Sequence, residues 1–423
     1  MTSSRSDEPS PEEAAVLEYL DEHADDHVSL LRELIRAKPV NPPGNEERAA
    51  AVIRPILDEL GFEVEEYTEV EGRPNLVARL PGSGDGPTLL MNAHLDVVPV
   101  REPEKWPCDP FAAEIIDGKL YGRGAVDHKP PIVAMLGAVE ALQARDVRLD
   151  GDLLFVFDSN EEQGGEHGMK YVVENADIEA DMGIYACTTS LTPEAVEYFP
   201  NQGPDNVHRA NFGNQVFRVT VEGHLEHPLG AAETDSAGSR LARLLPHIEA
   251  YCEDVKGRED DLLGRLDAEL TTVESEGRPG RASREVRVHV RRYYAPSEDA
   301  DDVFGEFVGR VESAAATEGI EDAVSVERLS DMPNVEVPES HEMVEATRRS
   351  ARLVRGREPT VTGVPAQTGI TWLVREWGIP MILFGFGNVN LHHAEPEWID
   401  PSDVTDTAKA YALTYLSLLT DGE

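Results

Sequence analysis

Cysteine and lysine are both scarce in this chain, and long apolar runs are missing from it. Its three cysteines, Cys108, Cys187 and Cys252, are odd in number and widely spaced. That pattern excludes a disulfide framework and a CxxC zinc site, and it fits a reducing cytoplasm. Lysine occurs only at positions 38, 105, 119, 129, 170, 256 and 409, so most of the 38 basic residues are arginine. Against them stand 81 acidic residues, for a formal net charge of -43. An excess of that size repels nucleic acid and anionic membranes. No apolar run approaches the ~18 residues that a membrane span requires. The stretch from Ser3 to Glu13 is polar and acidic, without the apolar segment of a signal peptide. No glycine loop of the phosphate-cradling kind occurs either.

What is present is acid, spread along all 423 residues rather than gathered in one tail. We read it as a hydrated, halophilic-type surface whose self-repulsion salt would screen, in preference to an acidic interaction surface. The length and the 40% hydrophobic content are ample for a large core distributed over two or three domains.

Strand-like and helix-like runs alternate over much of the chain. Residues 9–36 read as a helical region. Apolar strands are expected at 88–93, 153–157, 182–186 and 381–386, and helices at 132–144 and 372–377. A closing helix is expected at 403–419, with Ser402 as its N-cap. Alternation of this kind implies an α/β domain with a largely parallel central sheet. The middle of the chain differs. Residues 215–221 and 285–293 alternate apolar with polar, and 236–251 and 303–315 have helical periodicity. An α+β unit inserted at 208–326 is therefore expected, with the larger domain formed by 1–207 and 327–423.

Candidate metal ligands follow the expected strands. His94-Leu95-Asp96 comes after 88–93, Asp127 after Tyr121-Gly122-Arg123-Gly124, Glu161-Glu162 after 153–157, and His393 after 381–386. Sites in open α/β sheets form outside the carboxyl ends of the strands. Histidine with carboxylate suits zinc or another first-row divalent ion. Asp96, two residues beyond His94, would share its side of a strand and fix the imidazole tautomer. Asp127 has two oxygens and could bridge two ions about 3.5–4 Å apart. One of the paired glutamates would bind metal while its neighbour handles a proton. Each residue alone has a plainer reading: a buried structural histidine, a solvated turn, a helix cap. Their joint placement after strands is what argues for a metal site.

The segments His94-Leu95-Asp96-Val97-Val98-Pro99, Tyr121 to Lys129 (YGRGAVDHK) and Glu161-Glu162-Gln163-Gly164-Gly165 resemble successive motifs of one metallopeptidase and deacylase family. That family includes acetylornithine deacetylase, succinyl-diaminopimelate desuccinylase, aminoacylases and glutamate carboxypeptidase. The resemblance extends through the inserted unit to His393-Ala394-Glu395-Pro396-Glu397. It implies a zinc-peptidase catalytic domain with an inserted α+β lid, which often dimerises, so a homodimer is expected. It implies hydrolysis of amide bonds in N-acyl amino acids or small peptides, using one or two divalent ions, zinc first and cobalt or manganese as alternatives. His94 would bind one ion, Glu162 and His393 the other, and Asp127 both. Glu161 would be the general base and Asp96 the residue that orients His94. His227, in the Gly223 to His227 segment, would match the lid histidine that stabilises the tetrahedral intermediate.

The sequence also departs from the family pattern. Where a carboxylate is usual after the next strand, the turn reads Ala186-Cys187-Thr188-Thr189. Cys187 takes that place by alignment, and a thiolate is a good zinc ligand. Pro130 and Pro131 stand where glycines are usual. Thr368-Gly369-Ile370 lacks a family acid, and His289-Val290-Arg291 replaces an Asp-x-Arg. Arg291 is a candidate for capturing a substrate carboxylate. These departures leave a second expectation open: a member of the fold that has lost hydrolysis and serves as a binding or assembly module.

Overall fold

The structure, a computed structural model, describes residues 8–197, 201–224, 235–276, 283–366 and 368–420. It divides into two units. One comprises Met1–Arg209, Val337–Thr362 and Trp372–Glu423, and the other Ala210–Glu336 and Gly363–Thr371.

The first unit is built on a mixed sheet. Its four central strands, in spatial order Leu153–Asp158, Leu89–His94, Met182–Ala186 and Met381–Phe384, run parallel. Every residue in them is buried. Burial on both faces is why these strands read as continuous apolar runs. Antiparallel strands extend both margins: Asn75–Leu80 and then Glu63–Tyr67 on one side, Asn206–Asn211 on the other. The Glu63–Tyr67 strand, EVEEY, has no buried residue, so no apolar run announces it.

Helices cover the sheet. Lys129–Ala144 is buried along almost its whole length and packs on Pro401–Leu419 and Ala24–Arg36. Pro130 and Pro131 lie in its first turn, where a missing N–H breaks no intrahelical bond. The closing helix starts at Pro401, two residues before the expected start. Its cap is Asp400, which accepts from Ser402 N at 2.9 Å. Proline at the first helical position is pre-set for that start. A larger correction concerns Tyr121. It ends the short strand Lys119–Tyr121, which pairs with Glu114–Ile116 and Trp398–Ile399 in a separate three-stranded sheet. The Asp127 loop therefore does not leave a strand of the central sheet.

The second unit is a four-stranded antiparallel sheet in the order Ala268–Ser275, Glu285–Tyr294, Gly213–Glu222, Val324–Met332. Alternation buries Phe217, Val219 and Val221 on one strand and Val286, Val288 and Val290 on its neighbour. These residues share a core with Leu244, Ile248 and Phe307 from the helices Ala237–Lys256 and Ala300–Thr317. The expected boundary at 326 falls inside the strand Val324–Met332. The polar outer residues of that strand, Glu327, Arg328, Ser330 and Asp331, hide its continuation.

Among the described residues, no helix is long and apolar enough to cross a membrane. One buried histidine of the first unit has a consequence for stability. His208 is 3% exposed, with Nε2 2.8 Å from Gln202 Oε1, and burial pushes its imidazole down to about 3. The unfolded chain, with an ordinary histidine near 6.5, takes up that proton first. Stability is therefore full above pH ~6.5 and falls towards pH ~3, by up to about 1.4 kcal/mol per pH unit. Urea unfolding between pH 7 and pH 4.5 should show a shallower acid loss in His208→Gln than in the unsubstituted chain. Parallel pH profiles would contradict this account.

Candidate metal centre

Parallel pairing sets His94 opposite Asp158 and Ala186 opposite Phe384. The segments that leave these strands therefore emerge at one edge of the sheet.

The turn carrying Glu161 and Glu162 is fixed from several sides. Ser159 N donates to Asn75 Oδ1 at 2.8 Å, and Ser159 Oγ donates to Pro74 O at 2.6 Å. Asn160 takes a left-handed conformation (φ 64°), and its side-chain oxygen accepts from His167 N at 3.1 Å. Gly168 passes so close that a Cβ there would lie 1.6 Å from Ser159 O.

Asp96 ties this turn to His94. Its Oδ1 lies 3.2 Å from His94 Nδ1 and accepts from Glu161 N at 3.2 Å. Its Oδ2 accepts from Glu162 N at 3.1 Å and from Asn41 Nδ2 at 2.8 Å. The buried Lys129 ammonium donates to the Asp96 main-chain oxygen at 3.0 Å. The expected orienting contact with His94 is thus one of several that Asp96 makes.

Glu397 does comparable work for the Asp127 loop. It is fully buried, and Oε1 accepts from Val126 N at 2.6 Å and from Asp127 N at 3.0 Å. Oε2 accepts from Gly124 N at 3.0 Å and from Arg123 Nη1 at 2.7 Å. One carboxylate thereby satisfies three main-chain donors that a buried loop would otherwise leave unpaired.

Two groups of possible ligands result: His94, Asp127 and His128, and then Asp127, Glu162 and His393. Asp127 Oδ1 lies 3.2 Å from His94 Nε2 and 3.1 Å from His128 Nε2. Asp127 Oδ2 lies 3.1 Å from His393 Nε2, which is 2.8 Å from Glu162 Oε2. His392 stands beside them, with Nδ1 3.7 Å from Asp127 Oδ2 and Nε2 2.7 Å from Thr188 Oγ1. His393 holds a positive φ of 57°, an uncommon conformation that often marks functional positions.

The electrostatics follow from this crowding. Burial would depress the His94 imidazole, but hydrogen bonds to Asp127 and Asp96 hold it well above 6.5. Burial would raise Asp127, but the surrounding His392, His128, His393 and His94 hold it well below 3.8. Hydrogen bonds to Asp127 and Glu162 push His393 up to about 10. Burial pushes the Glu161 carboxyl up to about 8; His94 opposes the rise, and Glu162, Asp96 and Asp127 add to it. A carboxyl that rests near neutrality is suited to receive and return a proton.

The residues present fit a bound divalent ion. Two imidazoles with one carboxylate, and two carboxylates with one imidazole, are donor sets that zinc accepts. Glu162 Oε1 and His128 Nδ1 are buried without a hydrogen-bond partner in the structure, a costly state for polar atoms. A cation would give the glutamate oxygen a partner.

The structure brings His94, Asp96, Asp127, Glu161, Glu162 and His393 together in the first unit. Cys187 is buried at the end of its strand but belongs to neither ligand group among the described residues. Burial, with Asp127 and Glu161 adding to it, holds its thiol well above 9. His227 lies outside the described residues. Arg291 is on the half-exposed face of Glu285–Tyr294, paired with Asp267 at 2.7 Å and Glu269 at 3.0 Å. Asn41, His128 and Glu397 were not anticipated in these roles. The tail motif that resembles the family contains Glu397, and His128 adjoins Asp127; both signals were in the sequence. Nothing in it marked Asn41.

The family model described as Peptidase family M20/M25/M40 matches residues 90–417. The N-formyl-4-amino-5-aminomethyl-2-methylpyrimidine deformylase of Bacillus subtilis (strain 168) is 26% identical over 408 residues, which cover 92% of this chain and 94% of the deformylase. Succinyl-diaminopimelate desuccinylase 2 of Ruegeria sp. (strain TM1040) is 30% identical over 266 residues, 62% of each chain. The crystal structure of human carnosine dipeptidase 1 shares the fold with a TM-score of 0.69 and 20% identity, covering 97% of this chain and 99% of that one.

Replacing Glu397 by glutamine would turn an N–H₂ towards donors and loosen the Asp127 loop. Such supporting residues typically contribute 10- to 100-fold in metal affinity. Competition with a zinc-binding dye should show a loss of about that size in Glu397→Gln. Unchanged affinity would contradict the role given to Glu397.

Proposed function

The chain belongs to peptidase family M20/M25/M40, and from that premise we propose that it deacylates an N-acyl amino acid or cleaves a small peptide. It is a metal-dependent hydrolase of amide bonds. The observation that carries the reading is Asp127, whose two oxygens face separate donor groups, with Glu161 beside them.

His94, Asp127, Glu162 and His393 would hold the ions, zinc first and cobalt or manganese as alternatives. Bound there, such ions acidify a water and polarise the scissile carbonyl. Glu161 takes the proton released as the carbonyl is attacked and returns it to the departing amine nitrogen. Asp96 keeps Glu161 in reach by accepting from its main-chain N–H and holds the His94 ring by Nδ1. His227 would steady the oxyanion of the tetrahedral intermediate, the role that its motif implies. Arg291 could bind a substrate carboxylate only by giving up Asp267 and Glu269.

The charge of -43 and the three unpaired cysteines support a cytoplasmic enzyme adapted to salt. The resemblance of the second unit to a lid that dimerises supports a homodimer. The binding-module alternative has no observation of its own, since matched residues from separate segments converge with the base intact.

The relatives act, by their names, on formyl and succinyl compounds. A panel of N-formyl, N-acetyl and N-succinyl amino acids with dipeptides should therefore contain a substrate. On it, Glu161→Gln should lower kcat by about 10²- to 10⁴-fold while metal content stays unchanged. Turnover that survives either this substitution or complete metal removal would sink the proposal.

A further inference from the structure

Resting on the metal-centre reading above, we infer that His128 is a ligand in the first group, filling the place that the family pattern gives to a carboxylate after Met182–Ala186, and that Cys187 is not. The sequence leaves that place without an acid, since the turn reads Ala186-Cys187-Thr188-Thr189. A group made only of His94 and the shared Asp127 would hold an ion poorly. His128 supplies the third donor. Its Nε2 is 3.1 Å from the same Asp127 oxygen that lies 3.2 Å from His94 Nε2. The two imidazole rings stand 4.4 Å apart between centroids, and Tyr185 packs edge-on against His128 at 5.3 Å. His128 is 3% exposed, and its other nitrogen, Nδ1, has no hydrogen-bond partner in the structure. Its polar contact through Nε2 is with Asp127 Oδ1, and that nitrogen lies in the atom group from which a cation could be held.

The neighbours that compete for this role are less well placed. His392 turns Nε2 to Thr188 Oγ1 at 2.7 Å, and its Nδ1 is 3.7 Å from the other Asp127 oxygen. The Cys187 sulfur does not converge with either group among the described residues.

This assignment makes the two positions chemically unequal. The first has two imidazoles and a share of one carboxylate. The second has one imidazole, Glu162 and the other share of Asp127. Nitrogen-rich donors favour zinc, cobalt or nickel, whereas a carboxylate-rich position also accepts manganese. Three protein donors leave a fourth tetrahedral position open for water or substrate, the arrangement of catalytic rather than structural zinc.

The test is metal binding, read without turnover. Metal-free full-length protein is titrated with Zn(II) against a chromophoric chelator, and with Co(II) followed by visible absorption. The unsubstituted chain should take two ions. His128→Gln should take one and keep its far-UV circular dichroism, the retained ion showing that the fold and the second position survive. His128→Ala should regain the second ion on addition of imidazole. Cys187→Ser should take two, and the Co(II) form of the unsubstituted chain should lack thiolate-to-cobalt charge-transfer absorption. Two ions bound at undiminished affinity in His128→Gln would overturn the inference while leaving the metal-centre reading intact. So would a thiolate band that Cys187→Ser abolishes. Failure of the unsubstituted chain to bind any ion would overturn both.

Discussion

The carboxylate of Asp127 must present each of its oxygens to a different set of donors, and the surrounding structure keeps it in that position. A side chain on a loop cannot hold such a position alone. Glu397 fixes the loop through the N–H groups of Gly124, Val126 and Asp127. Arg123 shares the buried Glu397 carboxylate at 2.7 Å. Pairing and hydrogen bonding together are what make a buried charge tolerable. Asp96 performs the matching task on the other side, joining His94, the Glu161-Glu162 turn and Asn41. Two buried acids, Asp96 and Glu397, thus position the groups that could bind an ion.

Much of this arrangement was legible in the sequence, for physical reasons. Strands buried on both faces must be apolar throughout, so Leu153–Asp158 and Met182–Ala186 stand out from their surroundings. Ligands at the ends of such strands stand out in turn, which is how His94, Glu161, Glu162 and His393 could be selected. Strands at a solvated margin leave no such trace, as Glu63–Tyr67 illustrates. The segment before Asp127 reads as a strand end with no strand delimited there; the strand it follows spans only Lys119–Tyr121 and belongs to another sheet. Long-range partners were the least visible. Asn41 lies 55 residues from Asp96, and Glu397 lies 270 from Asp127. Nothing in the chain marks Asn41, and the tail motif contains Glu397 without showing what it touches.

His128 illustrates a different limit. It adjoins Asp127 inside a motif whose most prominent residue is the aspartate. Cys187 stands where the family pattern has a carboxylate, but its sulfur is in neither ligand group among the described residues, whereas His128 Nε2 is in the first. A site can keep its number of donors while drawing one of them from another segment, provided the new side chain reaches the same space.

The surface charge and the site chemistry are separable. The excess of acid is spread along the chain, whereas the acids at the sheet edge, Asp96, Asp127 and Glu397, are each tied to named donors. The most direct test of the account is a crystal structure of the zinc-loaded protein with anomalous scattering recorded above and below the zinc edge. The account predicts two zinc peaks, one at each oxygen of Asp127, with His94 and His128 at the first and Glu162 and His393 at the second. A single peak remote from Asp127, or a zinc held by the Cys187 sulfur, would contradict it.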